Sequence, residues 1–178
     1  YNKKFRIYDD RYINAYPLSF NYSFIPGTVL ASVVYTVDLF CADPFWYNDT
    51  VASQTINLTS GDTAVDITNG IYKEAFTLNN VGTAFVYPVI SVTAVSGSIN
   101  QVIVRNITTG RNFTYSGTIA SGKKLVIDCG NFTVKNDGTD DLTNWSGSFL
   151  WLNPGNNSME VEGKVPADYL FEWSPRSF

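Results

Sequence analysis

The chain has 178 residues, with 12 basic and 16 acidic side chains, a net charge of −4, two cysteines and no histidine. This length is enough for one substantial hydrophobic core, or for one domain with an appendage. Without histidine, Ser-His-Asp and Cys-His catalysis and every histidine-containing zinc site are excluded, so a hydrolase would depend on carboxylates alone. The acidic balance and the lack of a basic cluster denser than Lys123-Lys124 argue against nucleic acid as a partner, and no apolar run is long enough for a membrane helix.

Apolar residues alternate with a period of two along almost the whole chain, which predicts an all-β protein. Near the N-terminus, this pattern predicts strands over Lys3–Tyr8, Arg11–Phe24 and Leu30–Cys41. In the third of these strands, every second residue from Val33 to Cys41 is apolar. Because successive side chains of a strand point to opposite sides, this strand has one fully apolar face.

A change in composition divides the chain after residue 47. Pro44 and the three aromatic residues Phe45–Tyr47 are typical of a chain that leaves one sheet and packs onto the next. The polar stretch Asn48–Asn69 that follows is predicted to be loop and weak strand. We therefore expect a partial β domain in residues 1–47 and a complete β domain in residues 48–178.

The second part of the chain contains short alternating segments separated by glycine-containing turns, such as Ser121-Gly122 and Asp137-Gly138. One helical turn is predicted around Leu142–Trp145. The spacing of the segments predicts an antiparallel β-sandwich of the jelly-roll type, similar to galectins and galactose-binding domains. The predicted strands are Val86–Val95, Gln101–Arg105, Leu125–Cys129, Phe132–Lys135, Ser158–Glu162 and Tyr169–Trp173.

Few residues suggest chemistry. Asp137, Asp140 and Asp141 superficially resemble a calcium-binding loop, but the closing glutamate has no counterpart, so a solvated hairpin turn is the favoured interpretation. The two cysteines, Cys41 and Cys129, are too few to staple a chain of this size, and two buried thiols are favoured over one disulfide. The sequence therefore predicts no catalytic residues, no metal site and no cofactor.

Aromatic residues are the more informative group, with four Trp, eleven Tyr and twelve Phe. Exposed aromatic rings stack on sugars in carbohydrate-binding sandwiches, so Trp145, Trp151 and Tyr115 are the candidate residues for glycan contact. The alternative is that these rings pack in the core, as the period-two residues of Tyr169–Trp173 are expected to do. The sequence favours the packing role for each of them.

Several ordered segments resemble the distal tail proteins of long-tailed bacteriophages. The first, Tyr35–Tyr47, is similar to the strand and its Asp-Pro-Phe exit that close the N-terminal ring domain of that family. The others resemble the C-terminal sandwich of the same family in order and spacing. These segments are Asn80–Ala84, Tyr87–Ile90, Asn106–Gly110, Gly122–Asp128 and Leu152–Asn157.

The resemblance implies a structural, non-enzymatic component of a phage or prophage tail tip. Such a protein links the tail tube to the tip and to receptor-binding, fibre and tail-associated lysin proteins. Residues 1–47 would then be the last strands of a ring domain, so a homo-hexamer is expected for the full-length protein and a monomer for this chain. The expected location is the virion tail, or the bacterial cytoplasm during assembly. The alternative function is a carbohydrate-binding sandwich that recognises host surface glycans.

Overall fold

The computed structural model divides the chain into two compact units. Unit 1 consists of Tyr1–Asp49 with Ser177–Phe178, and unit 2 consists of Thr50–Arg176. The predicted boundary after residue 47 lies close to this division. The structure describes residues 3–8, 11–24, 33–58, 63–66, 70–164 and 166–178.

Unit 1 is built from antiparallel strands. They are β1 (Lys3–Tyr8), β2 (Arg11–Phe24), β3 (Val33–Phe40) and β4 (Trp46–Asn48). The long strand β2 pairs with β1 and β4 through its first residues, and with β3 through its remaining length. The bounds of β1 and β2 are those predicted. The strand predicted over Leu30–Cys41 is present as β3, and the first residues of that prediction lie outside the described residues.

Unit 2 contains most of the strands. In chain order they are β5 (Ala52–Leu58), β6 (Thr63–Asp66), β7 (Ile71–Asn80), β8 (Val89–Ala94), β9 (Val102–Asn106), β10 (Arg111–Tyr115), β11 (Lys124–Asp128), β12 (Thr133–Asn136), β13 (Thr139–Asp140), β14 (Trp145–Gly147), β15 (Gly155–Lys164) and β16 (Ala167–Trp173). A single 3-10 turn, Leu142–Asn144, occupies the place of the predicted helical turn. The last strand of the described residues is β17 (Arg176–Ser177).

Two six-stranded antiparallel sheets form unit 2. Their orders are β14-β10-β9-β15-β7-β6 and β13-β12-β11-β8-β16-β5. Each of the two last long strands lies inside a sheet, β15 between β7 and β9, and β16 between β8 and β5. Both sheets are therefore completed only by the end of the chain. The prediction of an all-β protein with an antiparallel sandwich is confirmed.

The core of unit 2 lies between the two sheets and follows the alternation in the sequence. Along β16, Tyr169 and Phe171 are completely buried and Trp173 nearly so, while the residues between them are half-buried. From the other sheet, Phe113 and Val161 are completely buried in the same cluster. The predicted core face of Tyr169–Trp173 is therefore confirmed.

Two stretches can be compared with the expectations from the sequence: the polar segment after residue 47 and the turn at Asp137. The polar segment Asn48–Asn69, predicted to be loop and weak strand, contains the regular strand β5, which pairs with β16 over its whole length. Asp137 and Gly138 have φ angles of 50° and 82°, which are typical of the tight hairpin turn favoured above. Among the described residues, no group of three or more Cys, Asp or Glu side chains is arranged to hold a metal ion.

The two cysteines are free thiols in the structure. Cys41 is half-buried, whereas Cys129 is completely buried, and burial raises the pKa of the Cys129 thiol to about 12. A buried thiol of this kind is kept protonated and unreactive at neutral pH. In the part of the chain that the structure describes, there is no helix with the length and apolarity needed to cross a bilayer.

Candidate functional site

The surface of unit 2 has an open concavity lined by aromatic rings. Phe85, Tyr87 and Trp151 line a cleft of about 300 Å³, which we call the aromatic cleft. The ring centroids of Phe85 and Tyr87 are 5.6 Å apart in an edge-to-face arrangement, and those of Phe85 and Trp151 are 6.4 Å apart. Phe85 is 39% exposed, and the other two rings are half-buried.

A short backbone bridge brings these rings together from distant parts of the chain. The amide of Val86 donates to the carbonyl oxygen of Leu152 at 3.0 Å, and the amide of Leu152 donates back to Val86 at 2.7 Å. Both bridging side chains are buried in the core. Since neighbouring side chains of extended backbone point to opposite sides, Phe85, Tyr87 and Trp151 are turned to the surface.

Three buried asparagines hold the segment that carries Trp151. The side-chain amides of Asn106, Asn80 and Asn157 donate to the carbonyl oxygens of three successive residues, 151, 152 and 153, at 2.8, 3.4 and 2.9 Å. All three asparagines are at most 1% exposed. Buried amides need such partners, because an unpaired polar group in the core is costly. The resemblance motifs that contain these asparagines therefore have a scaffold role in this region.

A strained turn places another aromatic ring beside the cleft. Phe132 has a φ of 57°, in the left-handed region that bulky side chains rarely adopt, and is 56% exposed. The Asp128 carboxylate holds this turn by accepting hydrogen bonds from the amides of Gly130 and Asn131 at 3.0 and 2.9 Å. The Phe132 ring lies 6.1 Å from that of Tyr87.

The row of rings continues from Phe132 away from the cleft. Phe149 lies 5.3 Å from Phe132, and Trp145 stacks on Phe149 at 4.6 Å. Trp145 also stacks on the buried ring of Phe113 at 4.3 Å. Trp145 is therefore packed between other aromatic rings and anchors the row to the core.

Two arginines give the cleft a positive rim. The guanidinium of Arg111 lies over the Trp151 ring, 3.6 Å from its centroid, and donates a hydrogen bond to the Phe149 carbonyl at 3.1 Å. The guanidinium of Arg176 lies over the Phe85 ring at 4.8 Å and donates to the Phe85 carbonyl at 2.6 Å. Cations are attracted to aromatic faces in this geometry. Within the described ranges, Arg111 contacts no carboxylate.

The structure separates the three residues that the sequence proposed for glycan contact. Trp151 lines the aromatic cleft, and Trp145 belongs to the row of rings beside it. Tyr115 is completely buried, so its ring offers no face to a ligand. Its hydroxyl donates to Asp141 at 2.6 Å and accepts from the Asn136 amide at 2.9 Å. Burial, followed by the Asp141 contact, raises the pKa of Tyr115 to about 12.

Sequence reasoning missed the other members of this site. Phe85 and Tyr87 were not singled out, although their two-residue spacing around Val86 is a signal for two rings on the side opposite to one buried side chain. Phe132 and Arg111 have no such signal, because their places depend on a turn and on a ring that is distant in sequence.

Unit 1 has a second exposed apolar surface, on the β2–β3 hairpin. Phe20, Tyr22, Tyr35, Val37 and Leu39 share one face of this two-stranded ribbon, which we call the hairpin face. The three aromatic side chains are between 63% and 67% exposed. The predicted apolar face of the third strand is therefore present, but it is turned to solvent.

Polar side chains occupy the middle of the opposite face of the hairpin, which also carries the exposed apolar residues Val34 and Phe40. Ser19 donates a hydrogen bond to Asp38, which is its cross-strand neighbour, and Asn21 donates to Ser19 at 3.4 Å. The hairpin face is therefore the more continuous apolar side of the ribbon. Exposed patches of this kind mark interaction sites in soluble proteins.

A comparison with known families identifies the class of protein. The family model of the siphovirus-type tail component, C-terminal domain (SPP1_Dit) matches residues 81–176, which is more than half of the chain. The chain belongs to this family. The expected resemblance to phage tail proteins is thereby confirmed, and the matched range contains the aromatic cleft of this tail component. No curated protein matches the chain significantly.

The fold of the tail component is also similar to that of a solved structure. The Dit protein of phage SPP1 (gp 19.1), described as a paradigm of the hub adsorption apparatus in phages that infect Gram-positive bacteria, superposes with a TM-score of 0.64 and 14% identity. The match covers 93% of this chain and 60% of the SPP1 protein. The chain thus spans less than two thirds of the length of the protein it matches.

Proposed function

We propose that this tail component is a distal tail protein, a structural part of the tail tip or baseplate hub that links the tail tube to the tip proteins. The observation that carries the proposal is the family match over residues 81–176. The similarity in fold to the SPP1 Dit protein, which extends over 93% of the chain, supports it. The proposed partners are the tail tube, tail-associated lysin or fibre, and receptor-binding proteins of the same virion.

The hairpin face supports a role in which copies of the protein assemble. A two-stranded hairpin is marginally stable by itself, and this one presents three aromatic rings to solvent. Packing against a neighbouring copy would remove this apolar surface from water. We therefore propose that residues 1–47 belong to a ring domain, and that the full-length protein forms a homo-hexamer through it.

The proposal places the protein in the virion tail, after synthesis and assembly in the bacterial cytoplasm. Its role there is structural rather than catalytic, because the family to which it belongs is one of tail components. The packing of the resemblance motifs agrees with this role, since their buried asparagines bind backbone groups of the protein itself.

Immunogold electron microscopy of purified virions tests this proposal. An antibody raised against unit 2 is expected to label the distal end of the tail, and an antibody against the major capsid protein serves as the matched control for specific labelling. Label on the capsid, along the whole tail, or on no part of the intact and the disrupted virions would contradict the proposal.

The carbohydrate-binding alternative has less support from the geometry. Sugar sites combine a stacking ring with several polar groups that fix the ligand. In the aromatic cleft, the Arg111 guanidinium covers a face of the Trp151 ring, and the Trp151 indole N–H already donates to Asn153 at 3.2 Å. Trp145 is stacked on two other rings.

A further inference from the structure

We infer that the aromatic cleft is a docking site for an extended peptide segment of another protein, with one or more prolines beside an acidic residue. This goes beyond the proposed function, which names no surface of unit 2 and no ligand chemistry. Peptide binding in the cleft is a property of the isolated chain and does not require an assembled tail. It can therefore fail while the tail role stands, and the reverse also holds.

The walls of the cleft favour proline as the anchoring residue. The three described lining residues are all aromatic, and two of the rings pack edge to face, so the cleft presents ring faces and edges at different angles rather than one flat platform. Aromatic-lined grooves of this composition bind proline-rich segments, because the extended proline helix is already ordered before binding. At about 300 Å³, the cleft accommodates a few residues rather than a folded domain.

The polar groups at the cleft favour an extended segment with a negative charge. Tyr87 is a half-buried residue whose hydroxyl makes no hydrogen bond to any described residue, so this hydroxyl can donate to a peptide carbonyl. Arg111 uses one N–H for the Phe149 carbonyl and lies beside no carboxylate in the described part of the chain. A guanidinium has five N–H donors, so it can also bind a carboxylate of the ligand.

Hydrogen bonds hold the segments that form the cleft in place. The Val86–Leu152 bridge and the three buried asparagines fix the segments that carry its rings. Phe132 is held beside it in a conformation that costs free energy. Strain that a turn maintains at an exposed aromatic residue is typical of binding sites, and a preformed site loses little entropy on binding.

Nuclear magnetic resonance titration of the purified chain tests the inference. The probe is a synthetic peptide with three consecutive prolines flanked by aspartates, with two control peptides in which serine replaces proline or asparagine replaces aspartate. The acidic proline peptide is expected to shift the signals of Phe85, Tyr87 and the Trp151 indole at concentrations up to about 1 mM. The serine peptide is expected to leave them unchanged.

Matched variants separate binding in the cleft from general apolar contact. Phe85→Ala is expected to weaken binding about tenfold or more, while Phe20→Ala, which removes an exposed ring from the hairpin face, leaves binding unchanged. Arg111→Gln is expected to weaken binding of the aspartate peptide about tenfold and of the asparagine peptide little. The exposed Lys135→Gln removes the same charge elsewhere and is the control.

Tyr87→Phe provides a variant that keeps the packing of the fold, with an expected loss of a few fold in affinity from one hydrogen bond. No shift at the cleft with the acidic proline peptide up to about 1 mM would overturn the inference. Equal effects of Phe85→Ala and Phe20→Ala would also overturn it. So would shifts at the cleft with soluble glucose or N-acetylglucosamine oligosaccharides but not with the peptide, which would instead favour a glycan site.

Discussion

The two units use the same alternation of side chains in opposite ways. In unit 2, the period-two residues Tyr169 and Phe171 of β16 are completely buried between two sheets. In unit 1, the period-two residues Phe20 and Tyr22 of β2 are 63% and 64% exposed. A period of two therefore shows which residues share a face, while the presence of a second layer decides whether that face is buried.

This difference indicates where the stability of the isolated chain resides. The described part of unit 1 buries only Ile13 and Ala15 among its apolar residues, whereas the buried cluster of unit 2 draws on both of its sheets. Burial of apolar surface is the main favourable contribution to folding. We expect unit 2 to carry most of the stability, and the apolar face of unit 1 to serve association.

The largest expected effect comes from truncating a ring in the core of unit 2. Phe171 is completely buried and packs on Phe76, so Phe171→Ala should lower the free energy of unfolding by about 3–5 kcal/mol. The matched variant Phe20→Ala in unit 1 should change it by about 0.5 kcal/mol or less. Denaturant unfolding followed by circular dichroism measures both. Similar losses in the two variants would contradict the difference between the units.

A backbone contact near the end of unit 2 gives the next largest effect. A Cβ atom added at Gly82 would overlap the backbone of Arg176, which must then shift. Gly82→Ala should therefore cost about 2–3 kcal/mol of stability. At Gly130, an added Cβ meets only ordinary contacts at 3.5 Å and beyond, so Gly130→Ala is the control. Thermal unfolding distinguishes them, and an unchanged melting temperature for Gly82→Ala would show that this contact is not rigid.

An ion-pair cluster on unit 2 should make its stability depend on pH. Burial alone would raise the pKa of Glu160, but hydrogen bonds from Lys73 at 2.5 Å and Arg105 at 2.7 Å outweigh it and lower the pKa below 4.5. The folded state thus favours the ionised carboxylate. Its contribution is complete above the ordinary pKa and is lost as the pH falls through the lowered value.

Glu160→Gln should therefore reduce the free energy of unfolding by about 1–2 kcal/mol at pH 7, and the difference from the parent chain should shrink as the pH falls below the ordinary carboxyl pKa and through the lowered one. Urea unfolding at several pH values measures this difference. Glu172→Gln, at a half-buried residue without an ion pair in the described ranges, is the control. A loss that is constant down to pH 3 would point to packing rather than charge.

The smallest effect concerns Tyr115, which the sequence had proposed for glycan contact. Tyr115→Phe removes its hydrogen bonds with Asp141 and Asn136 and should cost about 1 kcal/mol. The hydroxyl of Tyr115 is the main cause of the lowered pKa of Asp141, so this pKa should rise towards its ordinary value. Carboxyl signals followed by nuclear magnetic resonance against pH measure it. An unchanged Asp141 pKa would contradict the buried role of Tyr115.

The sequence predicted the sandwich well, because most strands of unit 2 alternate between a buried face and a face that is less buried. It indicated only weak strand in the segment that holds β5, because the positions that face inward there include Ala52 and Gln54, which are small or polar and weaken the alternation. The aromatic cleft was predictable only for Trp151. Its other walls join Trp151 through the Val86–Leu152 bridge, a contact between distant segments that no local pattern specifies.

The exposure of the hairpin face in unit 1 could not be predicted for the same reason, because it depends on contacts outside the strands themselves. The alternation in β2 and β3 correctly indicated a shared apolar face, but no pattern within these strands states what covers it. The Tyr35–Tyr47 segment that resembles the ring domain lies outside the matched residues 81–176, so the assignment of residues 1–47 to a ring remains a prediction. The arrangement of residues 1–47 in the assembled tail decides this prediction.

Cryo-electron microscopy of the tail tip of intact virions tests the central claim most directly. We predict density for this chain in a ring of identical copies at the distal end of the tail tube, with Phe20, Tyr22 and Tyr35 of the hairpin face packed against a neighbouring copy. A tail tip that lacks this chain, or one in which these three rings remain exposed to solvent, would contradict the account.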